Sequence, residues 1–300
     1  MILSILRSIL DFAPPLILAA LGGVISERAG VVNIGLEGMM RVGAFFACWA
    51  AFASGSAWAG VLAGLMAGAT LAAVHAFVSI HGRADQVVSG IALNLVALGL
   101  VTFLLEAVFG TTGTAPVETL PELPLLFGRS PYTYLALVAP FGLAAILRST
   151  VPGLRLRAVG EHPHAAATLG VSVAKVRWAA VLAGGALAGL GGSALSLSIL
   201  HRFDNKMPAG MGFMALAAMV FGKWSPVGAF GASVFFAFGN AVVDVVRSAG
   251  SSRGALADLH LDGILLAAPY LLTLALLAGF VGRAQPPAAD GVPFDPEAKR

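Results

Sequence analysis

Charge is scarce in this 300-residue chain, where Asp, Glu, Lys and Arg make up 11% against 58% hydrophobic residues. Soluble domains carry about 25% charge, so an ordinary water-soluble globule is excluded. Cysteine is nearly absent as well. Cys48 stands alone in an apolar run between Phe46 and Trp49, so no intrachain disulfide can form and a small packed side chain is its expected role. The phosphate loop G-x-x-x-x-G-K-[ST] is missing, and Gly222-Lys223-Trp224 lacks both the preceding glycine spacing and the hydroxyl residue. Nucleotide hydrolysis through such a loop is therefore excluded. Neither a Ser/His/Asp nor a Cys/His constellation stands out, so the chain does not read as an enzyme. His162 and His164 have one proline between them and no cysteine nearby, which is a poor metal set. The basic residues flank apolar segments instead of lining one face, which argues against a nucleic-acid partner.

What the chain has in plenty is apolar length. Its mean hydropathy is +0.89, and a bilayer core needs roughly 20 apolar residues per helical span. Spans are expected near 13–26, 38–53, 57–80, 86–109, 131–149, 175–199, 226–247 and 261–282. The 37 glycines are spread through these runs, as expected where helices pack closely in a membrane. The fold class is all-α: a polytopic transmembrane helical bundle of about eight full spans with short broken or re-entrant helices. Residues 1–300 form a single membrane domain, with an interfacial segment at 1–10, a loop at 150–174 and a Pro-rich tail at 283–300. Asp11 and the Pro14-Pro15 pair interrupt the first run, which favours an uncleaved first helix over a secretory leader.

Arg148, Arg155, Arg157, Lys175 and Arg177 flank the 150–174 loop, and Arg83 sits in an earlier turn. Both should face the cytoplasm, as should the two termini. Five spans from a cytoplasmic start would leave the basic loop outside, so an additional crossing or re-entry is expected in the first half. The segment from Ser26 to Gly38 is the natural place, since its polar groups and glycines suit a broken helix lining a cavity. A second interruption, from Gly210 to Trp224, precedes Ser225-Pro226 and a long apolar run. Paired interruptions suggest two pseudo-repeated halves with a pathway at their interface.

Within the basic loop, residues 157–170 read as a short surface helix. Pro163 suits its first turn, Glu161 complements the dipole there and Gly170 suits its C-terminal end. Ser172 is placed to cap the next helix. A short helix held between two spans is a lever through which a soluble motor could move both.

The residues here resemble a known family. Ser26 to Met40, SERAGVVNIGLEGMM, resembles the signature of nucleoside-type ABC permeases, relatives of the ribose and simple-sugar permeases. Three more blocks follow in the same order: Val87 to Leu100 (VVSGIALNLVALGL), Arg157 to Leu190 (RAVGEHPHAAATLGVSVAKVRWAAVLAGGALAGL) and Gly210 to Gly228 (GMGFMALAAMVFGKWSPVG). The resemblance implies the permease subunit of an ABC importer in a bacterial inner membrane, carrying nucleosides or simple sugars inward. The implied partners are a cytoplasmic ATPase that holds ATP and Mg, a second permease forming a heterodimer, an extracytoplasmic substrate-binding protein and membrane lipid. No cofactor is expected on this chain. Carried onto its residues, Gly160, Glu161, His164, Ala165, Ala166, Leu169 and Gly170 would form the coupling helix against the ATPase. His162 and His164 stand where relatives often have asparagine and glutamate, which would change the charge preference of docking.

Polar groups at membrane depth are costly, so each is a functional candidate. Asn33, Glu37, Gln86, Ser89 and Asn94 are the expected translocation-pathway residues, with interhelical hydrogen bonding as the rival role for the amides. Glu37 and Arg41 are also spaced for a helical ion pair, as are Asp244 and Arg247. Lys223 and Trp224 read as an interfacial anchor, and Glu106 as a side chain reaching the outer interface. An ion-coupled secondary transporter remains the alternative, weakened by the lack of a chain of carboxylates within the spans.

Overall fold

Helix α1 (Ile2–Arg28) runs unbroken through Pro14 and Pro15, and residues 2–10 continue it instead of lying apart. The computed structural model describes residues 2–116, 120–251 and 284–295. The other helices are α2 (Leu36–Ser54), α3 (Ala57–Ala76, extended by a π turn to His81), α4 (Gln86–Phe109), α5 (Pro131–Ser149), α6 (Val151–Glu161), α7 (Pro163–Thr168), α8 (Val173–Ala194, extended by a π turn to Ile199), α9 (Met211–Phe221) and α10 (Pro226–Ser251). Six of them, α1 to α5 and α8 with its π turn, are long and apolar enough to cross a membrane. Helix α9 and the Pro226–Val242 part of α10 are shorter apolar helices. The chain is thus an all-helical polytopic bundle. The expected span at 261–282 falls outside the described residues, as do the side chains of the expected Asp244–Arg247 pair.

Helices α1, α2, α3 and α8 make the centre, and they meet backbone to backbone. A Cβ on Gly43 of α2 would lie 2.5 Å from Gly189 O and 2.6 Å from Gly189 Cα of α8. Gly68 of α3 meets Gly185 and Gly189, and Gly22 of α1 faces Gly184. Association in lipid rests on van der Waals packing, and only small residues permit this approach. Helix α4 is held less closely: Leu93, Ala97, Val101 and Leu105 form its buried stripe, while Val88, Leu95 and Phe103 are exposed.

The two ends of α1 fix the faces of the bundle. Near its start, Arg129 Nη1 donates to Asp11 Oδ1 at 2.6 Å, beside the 110–130 loop. At its end, Gly160 of α6 packs on the Arg28 carbonyl, and Arg28 pairs with Glu161 at 3.9 Å. Five spanning helices, α1 to α5, therefore separate the start of α1 from the α6–α7 loop, and the two lie on opposite faces. Residues 29–35 simply turn the chain from α1 into α2 on the α6–α7 face. The additional crossing expected in the first half is not found among the described residues, because the starting assumption of a shared face was the error.

Candidate functional site

The turn between α1 and α2 begins where Gly30 adopts φ +83°, a left-handed conformation that favours glycine. Most of its residues are buried, so its backbone groups must find partners within the protein. The neighbouring helices supply them. Ser26 Oγ donates to Val31 O at 2.8 Å, and Val32 N–H donates to Gln86 Oε1 at 2.7 Å. His75 Nε2 lies 2.9 Å from Val32 O and Nδ1 lies 3.0 Å from Ser89 Oγ. A carbonyl can only accept, so Nε2 carries the proton and Nδ1 accepts from the serine hydroxyl. Asn94 closes the turn by donating to Ile34 O at 3.0 Å and accepting from Gly38 N at 2.7 Å.

Four of the five expected pathway residues, Asn33, Gln86, Ser89 and Asn94, thus gather around one irregular segment. Asn33, Gln86 and Ser89 are buried; Gln86 bonds the segment's backbone directly, Ser89 bonds His75, and Asn33 Nδ2 reaches Met39 Sδ at 3.6 Å. Two amide atoms in this set, Asn33 Oδ1 and Gln86 Nε2, are buried without a hydrogen-bond partner. His75, at 0% exposure, escaped the sequence reading. The signal was available, since a histidine inside an apolar run is costly unless paired.

Glu37, the fifth, does something the sequence did not suggest. Its Oε1 accepts from Gly210 N at 2.9 Å and its Oε2 from Gly212 N at 2.8 Å. A carboxylate therefore caps the start of α9, where unpaired N–H groups and the helix dipole favour negative charge. Arg41 turns instead to the Asn205 carbonyl, so the expected Glu37–Arg41 pair is not made. The far end of α9 is tied to α1: Trp224 Nε1 donates to Glu27 Oε2 at 2.6 Å, and Arg28 Nε donates to Trp224 O at 2.9 Å. Trp224 is 7% exposed, so it is an internal strut and not an interfacial anchor, whereas Lys223 is exposed. The two interruptions predicted from the sequence thus clasp each other at both ends of α9.

On the same face as the α1–α2 turn, Pro163 splits the expected single helix into α6 and α7. A residue before proline is pushed out of the helical region, and His162 sits at φ −141°, ψ 77°. Thr150 caps α6, with Gly153 N donating to its Oγ1 at 3.2 Å. Ser172 occupies the N-cap position of α8 without a side-chain cap bond. Gly160 and Ala166 of the expected coupling residues face inward, while Ala165, Leu169 and Gly170 face out. Leu169 is 84% exposed. Glu161 and His164 are engaged by the C-terminal tail: Ala288 N donates to Glu161 Oε2 at 3.2 Å, and the His164 and Phe294 rings lie 5.0 Å apart. Asp290 of the tail shares a hydrogen bond with Glu27, and burial, then the Glu27 charge, push its carboxyl up to about 8. Two carboxyls in such contact need a shared proton.

Residues 5–282 match the family described as branched-chain amino acid transport system / permease component, and the chain belongs to that family of membrane permeases. It is 43% identical to the guanosine ABC transporter permease protein NupQ of Bacillus subtilis, over 97% of this chain and 96% of that protein. It is 38% identical to the nucleoside ABC transporter permease protein NupC of Lactococcus lactis, over 97% and 96%. It is 42% identical to a putative glucose ABC transporter permease protein of Haloferax volcanii, over 74% and 71%. The same Bacillus and Lactococcus strains each hold a second, more distant permease relative. No solved structure matches the chain.

Proposed function

We propose that this chain is one of two membrane-spanning permease subunits of an ABC importer that passes nucleosides into the cell. An extracytoplasmic binding protein delivers the substrate, and a cytoplasmic ATPase holding ATP and Mg docks on the α6–α7 loop. The observation that carries the reading is the exposed tip formed by Ala165, Leu169 and Gly170, mounted on inward-facing Gly160 and Ala166. A bare leucine at the end of a short, rigidly based helix offers apolar area whose burial against a partner is favourable. The nucleoside relatives align over nearly their whole length, which favours nucleosides over the sugar named for the shorter match. The occurrence of two permease relatives in one organism favours a heterodimer.

The test is uptake of labelled nucleosides and glucose by cells expressing this chain with candidate ATPase, second permease and binding protein. Nucleoside uptake is expected to need the ATPase and to fall about fivefold or more with Leu169→Asp, the scale of a lost coupling contact. Leu169 is exposed, so the substitution leaves the fold intact. Uptake that persists without the ATPase and collapses with the ion gradient would replace this reading with ion-coupled transport.

With the α6–α7 loop in the cytoplasm, alternation of the spans α1 to α5 puts the start of α1 on the extracytoplasmic side, and the bond from Ala289 to Gly160 puts the described tail inside. In a Cys48→Ala background, Ser4→Cys is expected to react with a membrane-impermeant thiol reagent on intact spheroplasts. Thr168→Cys should react only after permeabilisation. The reverse pattern would invert the orientation.

A further inference from the structure

Residues 284–295 lie across the α6–α7 face as a strap, turned at 288–291, that touches α1, α6, α7, α8 and the α3–α4 turn. Ala289 N donates to Gly160 O at 2.9 Å, beside the Ala288 contact to Glu161 at the end of α6. Asp290 meets Glu27 at the end of α1. Arg177 of α8, 1% exposed, donates from Nη1 to Val292 O at 3.0 Å and from Nε to Ala29 O at 3.2 Å. One guanidinium therefore grips both the strap and the α1–α2 turn. Farther along, Phe294 packs on His164 of α7, and Asp295 pairs with Arg83 of the α3–α4 turn at 3.1 Å.

Pro287 and Ala289 are buried beneath this crossing. Prolines at 286, 287 and 293 fix φ on either side of a turn, within which Asp290 N donates to Pro287 O at 3.0 Å and Val292 N to Ala289 O at 3.2 Å, so the path of the strap is held locally. Direct contact between α6 and the end of α1 includes the Gly160 approach to the Arg28 carbonyl, Leu156 against the Ile25–Ala29 cluster, and a long, partly exposed ion pair. Such a pair is a weak mechanical link. The strap adds the Ala289 N–H to Gly160 O bond on α6 and the Asp290 contact with Glu27 at the end of α1.

We propose that the strap is a positioning element that carries displacement of α6–α7 to the α1–α2 turn, so that the ATPase cycle and the turn that joins two spanning helices move together. This rests on the importer reading above. The strap reaches α6 through the backbone bond at Ala289 and the other elements through the side chains of Arg177, Asp290, Phe294 and Asp295, so its placement across them does the transmitting. Ala289 is the central point, because its N–H bonds the last turn of α6 and its carbonyl lies against Gly30.

The assembled complex of this chain, second permease and ATPase, reconstituted in liposomes with binding protein, tests the idea by measuring nucleoside uptake per ATP hydrolysed. Ala289→Pro removes the N–H to Gly160, Ala289→Gly keeps it, and truncation after Arg283 removes the strap. Ala289→Pro and the truncation are expected to lower uptake per ATP about fivefold or more, within the usual range of a coupling free energy. ATPase copurification should be unchanged and Ala289→Gly should behave as the unmodified chain. Unchanged or raised uptake per ATP with Ala289→Pro would overturn the proposal, the second result marking the strap as a brake. Loss of ATPase copurification with Ala289→Pro would also overturn it, marking a clamp for assembly. If the truncation alone fails to assemble, Ala289→Pro decides. An unmodified complex with no ATP-driven uptake would sink the importer reading itself, and the strap's role with it.

Discussion

Leucine in place of Gly43 is expected to stop α2 and α8 from closing, so that the protein no longer runs as a single species in detergent. The added Cβ would lie 2.5 Å from Gly189 O and 2.6 Å from Gly189 Cα. Both are backbone atoms, so no rotamer change relieves the clash and the helices themselves must separate. Overpacking in a well-filled core costs about 1–3 kcal/mol and sometimes more, and separation would also strip the dispersion contacts that hold helices together in lipid. Size-exclusion profile and thermal unfolding in detergent are the measurements. Gly99→Ala is the control. A Cβ on Gly99 of α4 meets nothing within 4 Å, so that change should be neutral or stabilising by up to about 1 kcal/mol through helix propensity. Equal behaviour of the two variants would mean the backbone contact at Gly43 does not hold the bundle.

Glu37→Ala should have the second largest effect. Both carboxylate oxygens cap α9 through Gly210 and Gly212, and Glu37 is 7% exposed, so water has little access to replace it. Each buried N–H left unpaired costs about 1–3 kcal/mol. The start of α9 should loosen, seen as a lower unfolding temperature in detergent and faster amide exchange at residues 210–214. Glu37→Gln keeps an acceptor oxygen and should lose only part of this. If Glu37→Ala unfolds and exchanges like the unmodified chain, the cap is a geometric coincidence with no energetic role.

Apolar length made most of the helices legible, and glycine with proline marked where they stop. The short helix before Gly170 and the split at His162-Pro163 follow from backbone rules that act within a few residues. What escaped the sequence is almost all long-range. Glu37 has Arg41 one turn away, and local spacing favours that pair. Tertiary packing instead brings α9, 173 residues along the chain, to the carboxylate. Trp224 looked like an anchor because it follows a lysine at the end of an apolar run, yet its indole N–H reaches Glu27. The tail reads as a polar, Pro-rich extension, and nothing in its composition announces Gly160, Arg177 and Arg83 as partners. The candidate pathway residues were chosen for their polarity at depth. The structure gathers four of them at the α1–α2 turn, where Gln86 and Asn94 hold its backbone groups and Ser89 holds His75.

The α1–α2 turn also sets a timetable for synthesis. Its partners at His75, Gln86 and Asn94 lie 43 to 60 residues downstream, so those stretches must be made before its exposed amides can be satisfied. At about 5–20 residues per second, that interval lasts several seconds. The clasp between Glu37 and α9 must wait through 173 residues, on the order of ten seconds or longer. A nascent chain therefore holds an unfinished polar kink at the membrane while most of its helices are still unborn.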